Sequence, residues 1–141
     1  MPRIMVNFRV AAKSFIIHDD RLLVVKRRPN DVQKPGMWEI PGGRLEPGEN
    51  PFEGLKREAK EETGLDIDVI HPLQVRHFTR DDGQTITMLI FLCKALTSNV
   101  QLSDEHTEFE WVPLERAKEK LPDFFKETVD VFNRLDLKKH L

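Results

Sequence analysis

The chain has no tyrosine and one cysteine, Cys93. A lone cysteine builds neither a disulfide framework nor a cysteine-based zinc site. Its neighbours Ile90, Phe91 and Leu92 make it a core thiol. No apolar run approaches the roughly 20 residues of a membrane-spanning helix. The opening MPRIMVNFRV holds no stretch of signal-peptide length, so a cytoplasmic location is the expectation. An excess of either charge is also missing. Twenty-two Lys and Arg stand against 24 Asp and Glu, a net charge of −2. That balance suits neither a nucleic-acid coat nor a membrane surface and makes a long nucleic-acid partner unexpected, while leaving a short RNA substrate open. Repeats, linkers and low-complexity segments are absent as well. What remains is 141 residues, 39% hydrophobic and 33% charged, the expectation for one globular domain over 1–141.

The most informative stretch runs from Gly43 to Leu65, GRLEPGENPFEGLKREAKEETGL. It reads as a Gly-rich loop entering a short acidic helix. Asn50 can cap, Pro51 suits the first helical position, and Glu53 stands where a capping box places it. Gly64 offers a left-handed exit. These signals predict a helix over Pro51 to Thr63. At about 100° per residue, Phe52, Leu55 and Ala59 form a core stripe. Glu58, Glu61 and Glu62 flank it, Lys56, Lys60 and Glu53 lie opposite, and Gly54 falls among the three carboxylates. Glu53, Arg57 and Glu61 are spaced as an i, i+4 ladder. A solvated charged helix is one reading. Against it, like charges at i, i+4 repel, and three carboxylates beside a buried edge repel more. A hard cation would relieve this, and all-oxygen ligands favour Mg²⁺ or Mn²⁺ over Zn²⁺.

Elsewhere the chain alternates strand and turn signals. Val6 to Ile17 reads as a strand, His18 to Arg21 as a turn, and Leu22 to Arg28 as a strand apolar on both faces. Lys26, Arg27 and Arg28 close it, and either arginine could meet a phosphate. Pro29 to Met37 is a loop, and Trp38 to Gly43 a short strand, with Trp38 read as core ahead of a base-stacking residue. Leu65 to Phe78 is a strand interrupted near Pro72. Arg80 to Gly83 is a hairpin turn, and Thr85 to Ala95 the return strand. Thr97 to Ser103 is a loop. A short helix follows over Pro113 to Lys120. An amphipathic helix follows over Asp123 to Leu137, and then a tail from Lys138 expected to fray.

The stretch 43–65 resembles the signature of the Nudix hydrolase family, which includes the MutT-like enzymes: G-x5-E-x7-R-E-U-x-E-E-x-G-U, with U aliphatic. Gly43, Glu49, Arg57, Glu58, Ala59, Glu61, Glu62, Gly64 and Leu65 occupy its positions, Ala59 being a small occupant of an aliphatic site. The entry Trp38-Glu39-Ile40-Pro41-Gly42-Gly43 and the later Glu105-His106 with Trp111 extend the likeness.

The resemblance implies an α+β fold, an α/β/α sandwich around a mixed sheet. It implies metal-dependent hydrolysis of the pyrophosphate bond in a nucleoside diphosphate linked to a group X, here a nucleoside triphosphate or related nucleotide. The implied cofactor is Mg²⁺, with Mn²⁺ as a substitute. Its implied ligands are Glu58, Glu61, Glu62, the Gly43 carbonyl and Glu105, with Glu105, then Glu62 or Glu49, as general base. Arg57 would orient the glutamates, and Glu49 resembles a residue that meets metal through water. Arg28 and Glu39 would position substrate, while Phe78 and Asp123 stand where a base could be recognised. His106 is read as a supporting residue. Dinucleoside polyphosphates, ADP-ribose, RNA 5′ ends and a non-catalytic nucleotide sensor are the alternatives, and no tyrosine or proline marker past the box selects among them. A homodimer through the first strand or last helix is open.

Overall fold

The structure is a computed structural model whose described residues are 7–141. The expected strand start at Val6 lies outside them. The first strand, β1 (Phe8–His18), shows why the molecule has three layers. Its residues alternate between two cores: Ala11, Phe15 and Ile17 point to one, Ala12 and Ile16 to the other. A strand apolar on both faces has to be covered on both.

The sheet around it is mixed. β1 runs parallel to β6 (Thr85–Ala95), with Phe8 opposite Thr85 and Ile17 opposite Lys94. It runs antiparallel to β2 (Arg21–Arg27) and to the short β4 (Gly42–Arg44). β2 pairs in turn with β3 (Trp38–Glu39) and β7 (His106–Pro113). β5 (Ile67–Thr79) closes the far side on β6. The order is β3-β2-β1-β6-β5, with β4 on β1 and β7 on β2.

One face carries α1 (Pro51–Thr63), whose Leu55 and Ala59 pack on Ala12, Ile16 and Leu23. The other face carries α2 (Ala117–Lys120) and α3 (Asp123–Arg134). Phe125, Val129 and Phe132 of α3 enter that core, with Phe132 against Phe15 at 5.1 Å between ring centroids. This is the α+β sandwich that the resemblance implied.

Several local expectations are corrected. Phe52 is not core: it is 47% exposed and meets Phe91 ring to ring at 5.3 Å. The buried stripe of α1 instead continues to Glu62 and Thr63 at its last turn. β2 ends at Arg27, where its pairing with β7 shifts register, so Arg28 leaves the sheet. Near Pro72, β5 bulges twice and continues, because an edge position tolerates the missing N–H. The 113–120 segment divides into a 3₁₀ turn (Leu114–Arg116) and α2. α3 stops at Arg134, and Asp136 turns left-handed at φ 52°. The tail then folds into a second 3₁₀ turn (Leu137–His140) with Leu137 buried, instead of fraying.

Candidate active site

The site begins with the ends of α1. Asn50 Oδ1 accepts from the Phe52 and Glu53 N–H groups at 2.9 and 3.3 Å. Gly64, at φ 73°, donates its N–H to the Lys60 carbonyl. With Leu55 and Ala59 seated in the core, Glu58 and Glu62 turn toward the start of β4. A Cβ on Gly43 would lie 3.5 Å from both Glu58 oxygens, so the Gly43 backbone stands directly against that carboxylate.

Gly54 makes room for the loop that precedes α1. A Cβ there would meet Leu45 Cδ2 at 2.5 Å and Glu49 Cδ at 2.9 Å. The missing side chain lets the loop lie on the helix, and this delivers Glu49 to Arg57. Arg57 donates from Nε and Nη2 to the two Glu49 oxygens at 2.7 and 3.0 Å. Its Nη1 reaches Glu61 at 3.0 Å, and Nη2 also reaches Glu58 at 3.3 Å. Glu49 thus takes the place expected for Glu53 in the ladder. The Arg57 bonds and the Glu46 N–H hold the Glu49 carboxyl down at about 2, and the surrounding carboxylates raise the guanidinium.

Glu62 is 4% exposed, and its Oε2 accepts the Gly42 N–H at 2.8 Å. Burial pushes its carboxyl up to about 9. Glu58, Glu39 and Glu105 add to that rise, and Lys13 works against it. Burial, then Glu61 and Glu105, also raise Glu58 against the pull of Arg57. Carboxylate oxygens of Glu62 and Glu105 and one ring nitrogen of His106 lie within 4.8 Å of one another. A carboxylate this buried among other carboxylates is what a divalent cation would neutralise, and the donor set fits one. Glu61 stands further out, 60% exposed at its side chain and held by Arg57.

Beneath the cluster lies a buried network that the sequence did not reveal. Lys13 Nζ donates to Glu39 Oε1 at 2.9 Å and to the Ile40 and Gly42 carbonyls at 3.2 and 3.1 Å. Glu39 Oε2 accepts from Arg27 Nη1 at 2.8 Å and from His106 Nε2 at 2.9 Å. Burial works against the Glu39 charge, but Lys13, the His106 bond and Arg27 outweigh it and hold the carboxyl well below the usual range. Arg27 continues to Asp31 at 2.8 Å. Burial opposes the Asp31 charge too, yet Arg27 and the Lys34 and Gln33 N–H groups hold it at about 2. Asp31 thereby anchors the loop before β3. The one sequence signal was a lysine inside the apolar run Ala11-Ala12-Lys13-Ser14-Phe15-Ile16-Ile17.

Glu39, expected to position substrate, is buried with both oxygens occupied by protein. It positions Lys13, Arg27 and His106. Arg28 is half-buried, and its backbone N–H bonds the Glu105 carbonyl at 3.0 Å, which brings it beside the cluster. Phe78 and Asp123 lie with the α3 layer. Phe78 packs edge-on against Phe124 at 5.3 Å, and Asp123, 98% exposed at its side chain, pairs with Lys126. The structure does not join these two to the carboxylate cluster.

Lys13→Met is expected to cost about 3 kcal/mol or more, because it leaves the Glu39 charge buried with one cation fewer. Urea unfolding checks this, and a loss below about 1 kcal/mol would remove Lys13 from the role described here.

The sequence matches the NUDIX domain family over residues 7–134. It is 30% identical over 117 residues to a MutT-like protein of Streptomyces ambofaciens, covering 82% of this chain and 71% of that one. It is 34% identical over 107 residues to the nucleoside triphosphatase NudI of Salmonella agona (strain SL483), covering 69% and 76%. Other curated relatives are longer, and the chain spans 29% and 40% of the length of two of them. Among solved structures, the MutT protein from Methanosarcina mazei Go1 superposes with a TM-score of 0.83 at 27% identity, over 96% of this chain and all of that one.

Proposed function

The chain belongs to the Nudix hydrolase family, and from that premise we propose that it hydrolyses the pyrophosphate bond of a nucleoside diphosphate linked to a further group, with nucleoside triphosphates as the first substrate class. The observation that carries this is the Glu62 carboxylate, within 4.8 Å of Glu105 and His106 and raised by burial and then by Glu58, Glu39 and Glu105. The NudI relative, named a nucleoside triphosphatase, favours the triphosphate class.

Glu58, Glu62 and Glu105 would hold Mg²⁺, or Mn²⁺ in its place, with Glu61 and the Gly43 carbonyl completing the set. When bound there, a divalent ion would supply charge neutralisation and would ease deprotonation of water. The chain's own residues do the rest. Arg57 fixes Glu49, Glu58 and Glu61 by hydrogen bonds, so three carboxylates keep their places when a phosphate arrives. Glu105 takes the proton from the attacking water. Arg28, tied by its backbone to the Glu105 loop, meets the phosphate.

The test is a phosphate-release screen over nucleoside triphosphates, oxidised ones included, ADP-ribose, dinucleoside polyphosphates and short triphosphorylated RNA. Each is run with Mg²⁺, Mn²⁺ and EDTA. Turnover of triphosphates that EDTA abolishes is the expected result. Saturable binding without turnover of any class would replace the enzyme reading with a sensor. Glu105→Gln is expected to slow turnover about 10²-fold while leaving the nucleotide KM within about threefold. Unchanged turnover would take the base away from Glu105.

A further inference from the structure

His106 opens β7 with its side chain 1% exposed, and its two ring nitrogens are treated very differently. Nε2 lies 2.9 Å from Glu39 Oε2. An ionised carboxylate only accepts, so the hydrogen sits on Nε2 and, in the singly protonated ring, Nδ1 carries a lone pair. Nδ1 is buried and has no hydrogen-bond partner. An orphaned buried acceptor costs on the order of 1–3 kcal/mol, so something else should fill its lone pair. The surroundings say what. One ring nitrogen of His106 lies within 4.8 Å of carboxylate oxygens of both Glu62 and Glu105. Glu39 takes Nε2 and leaves Nδ1 as the free donor of this ring, and a carboxylate–histidine pair beside two acidic side chains is the arrangement by which proteins aim imidazole at a metal. Glu39 itself is immobilised by Lys13 and Arg27, so the ring cannot turn away.

We propose that His106 is a ligand as well as a support, and that its Nδ1 joins Glu62 and Glu105 in one cation site of mixed nitrogen and oxygen donors. This deepens the proposed function, since it rests on the same metal site. Its consequence is selectivity. Carboxylates alone suit Mg²⁺ and Mn²⁺, whereas an imidazole donor adds affinity for Co²⁺ and Ni²⁺.

The experiment uses the full chain with Mn²⁺ alone, read by pulsed electron paramagnetic resonance. Nitrogen modulation from a bound imidazole is expected, and growth on ¹⁵N-histidine should convert the ¹⁴N lines to ¹⁵N lines. Among the described residues no other histidine joins this cluster, so the label identifies His106 without any mutation. In His106→Gln the modulation should vanish while Mn²⁺ still binds. The same variant should lose affinity for Co²⁺ and Ni²⁺ by about tenfold or more, with Mg²⁺ changed far less. Bound Mn²⁺ without histidine coupling, or coupling that survives in His106→Gln, would overturn the inference alone, and a water on Nδ1 would then be the answer. Failure to bind Mn²⁺ at all would instead overturn the metal site of the proposed function.

Discussion

Glu62→Gln should lower turnover by about 10³-fold or more and, in the same protein, raise the melting temperature of the metal-free form at pH 8. The first effect follows from the proposed role of Glu62 as a charged metal ligand, whose contribution to a phosphoryl transition state would be several kcal/mol, at about 1.4 kcal/mol per tenfold. The second follows from burial. The Glu62 carboxyl is raised from its ordinary 4.5 to about 9 in the folded state, chiefly by burial and then by its carboxylate neighbours. A group raised in this way supports the fold fully below its unfolded value. That support is lost as pH rises through the folded one. At pH 8 the metal-free protein therefore unfolds more easily than at pH 5. Glutamine keeps an oxygen for the Gly42 N–H and carries no charge, so the variant should escape the loss. We expect it to melt roughly 4 °C or more above the parent at pH 8 in EDTA, with the gap closing near pH 5. Mg²⁺ should stabilise the parent and leave the variant unmoved, since only a ligand bound to the folded state shifts its stability. A variant that melts below the parent at pH 8 would contradict the burial argument, and one that still turns over at the parent rate would contradict the ligand role.

Gly42→Ala should damage the fold severely. A Cβ on Gly42 would fall 2.2 Å from the Ala12 carbonyl oxygen and 2.7 Å from Lys13 Cα, both backbone atoms of the central strand. Its φ of 133° is also one that L side chains rarely adopt. Overpacking costs about 1–3 kcal/mol and a strained backbone a similar amount. Their sum is a large share of the roughly 5–15 kcal/mol that holds a domain together. The damage also reaches the site, because the Gly42 N–H holds Glu62 and its carbonyl holds Lys13. Gly48→Ala is the control: its φ is also positive, at 78°, but nothing lies within 4 Å of the added carbon. Denaturant midpoints should show Gly42→Ala losing about 3 kcal/mol or more and Gly48→Ala about 1–2. Equal losses would mean that contact with β1 is not what demands glycine.

These two residues also mark how far a sequence reading reaches. Glu62 was legible as part of an acidic helix because Glu58 lies one turn before it, four residues away, and Glu61 stands next to it. Its burial was not, because the stripe was traced through Phe52, which the structure leaves exposed. Gly42 and Gly54 were legible as glycines near a site. What each makes room for, the Ala12 backbone and the Leu45–Glu49 loop, comes from other parts of the chain. Arg57 shows the same division: its bond to Glu61 is a helical i+4 contact, while its two bonds to Glu49 need the loop to fold back over Gly54.

By itself, then, the sequence determined what short-range rules govern. Asn50, Pro51 and Gly64 set the ends of α1, because capping acts within a few residues. Strands apolar on both faces required helices above and below. The Asp82-Gly83 turn set the β5–β6 hairpin, with Gly83 donating to the Arg80 carbonyl. The motif spacing placed the chain in its family. Only the tertiary structure decided which side chains the cluster stands on. Lys13 meets Glu39 across 26 residues, and Glu39 meets His106 across 67. No periodicity encodes such pairs, since they exist only once β1, β3 and β7 are brought into one sheet. There burial makes each unpaired charge costly and each pairing specific.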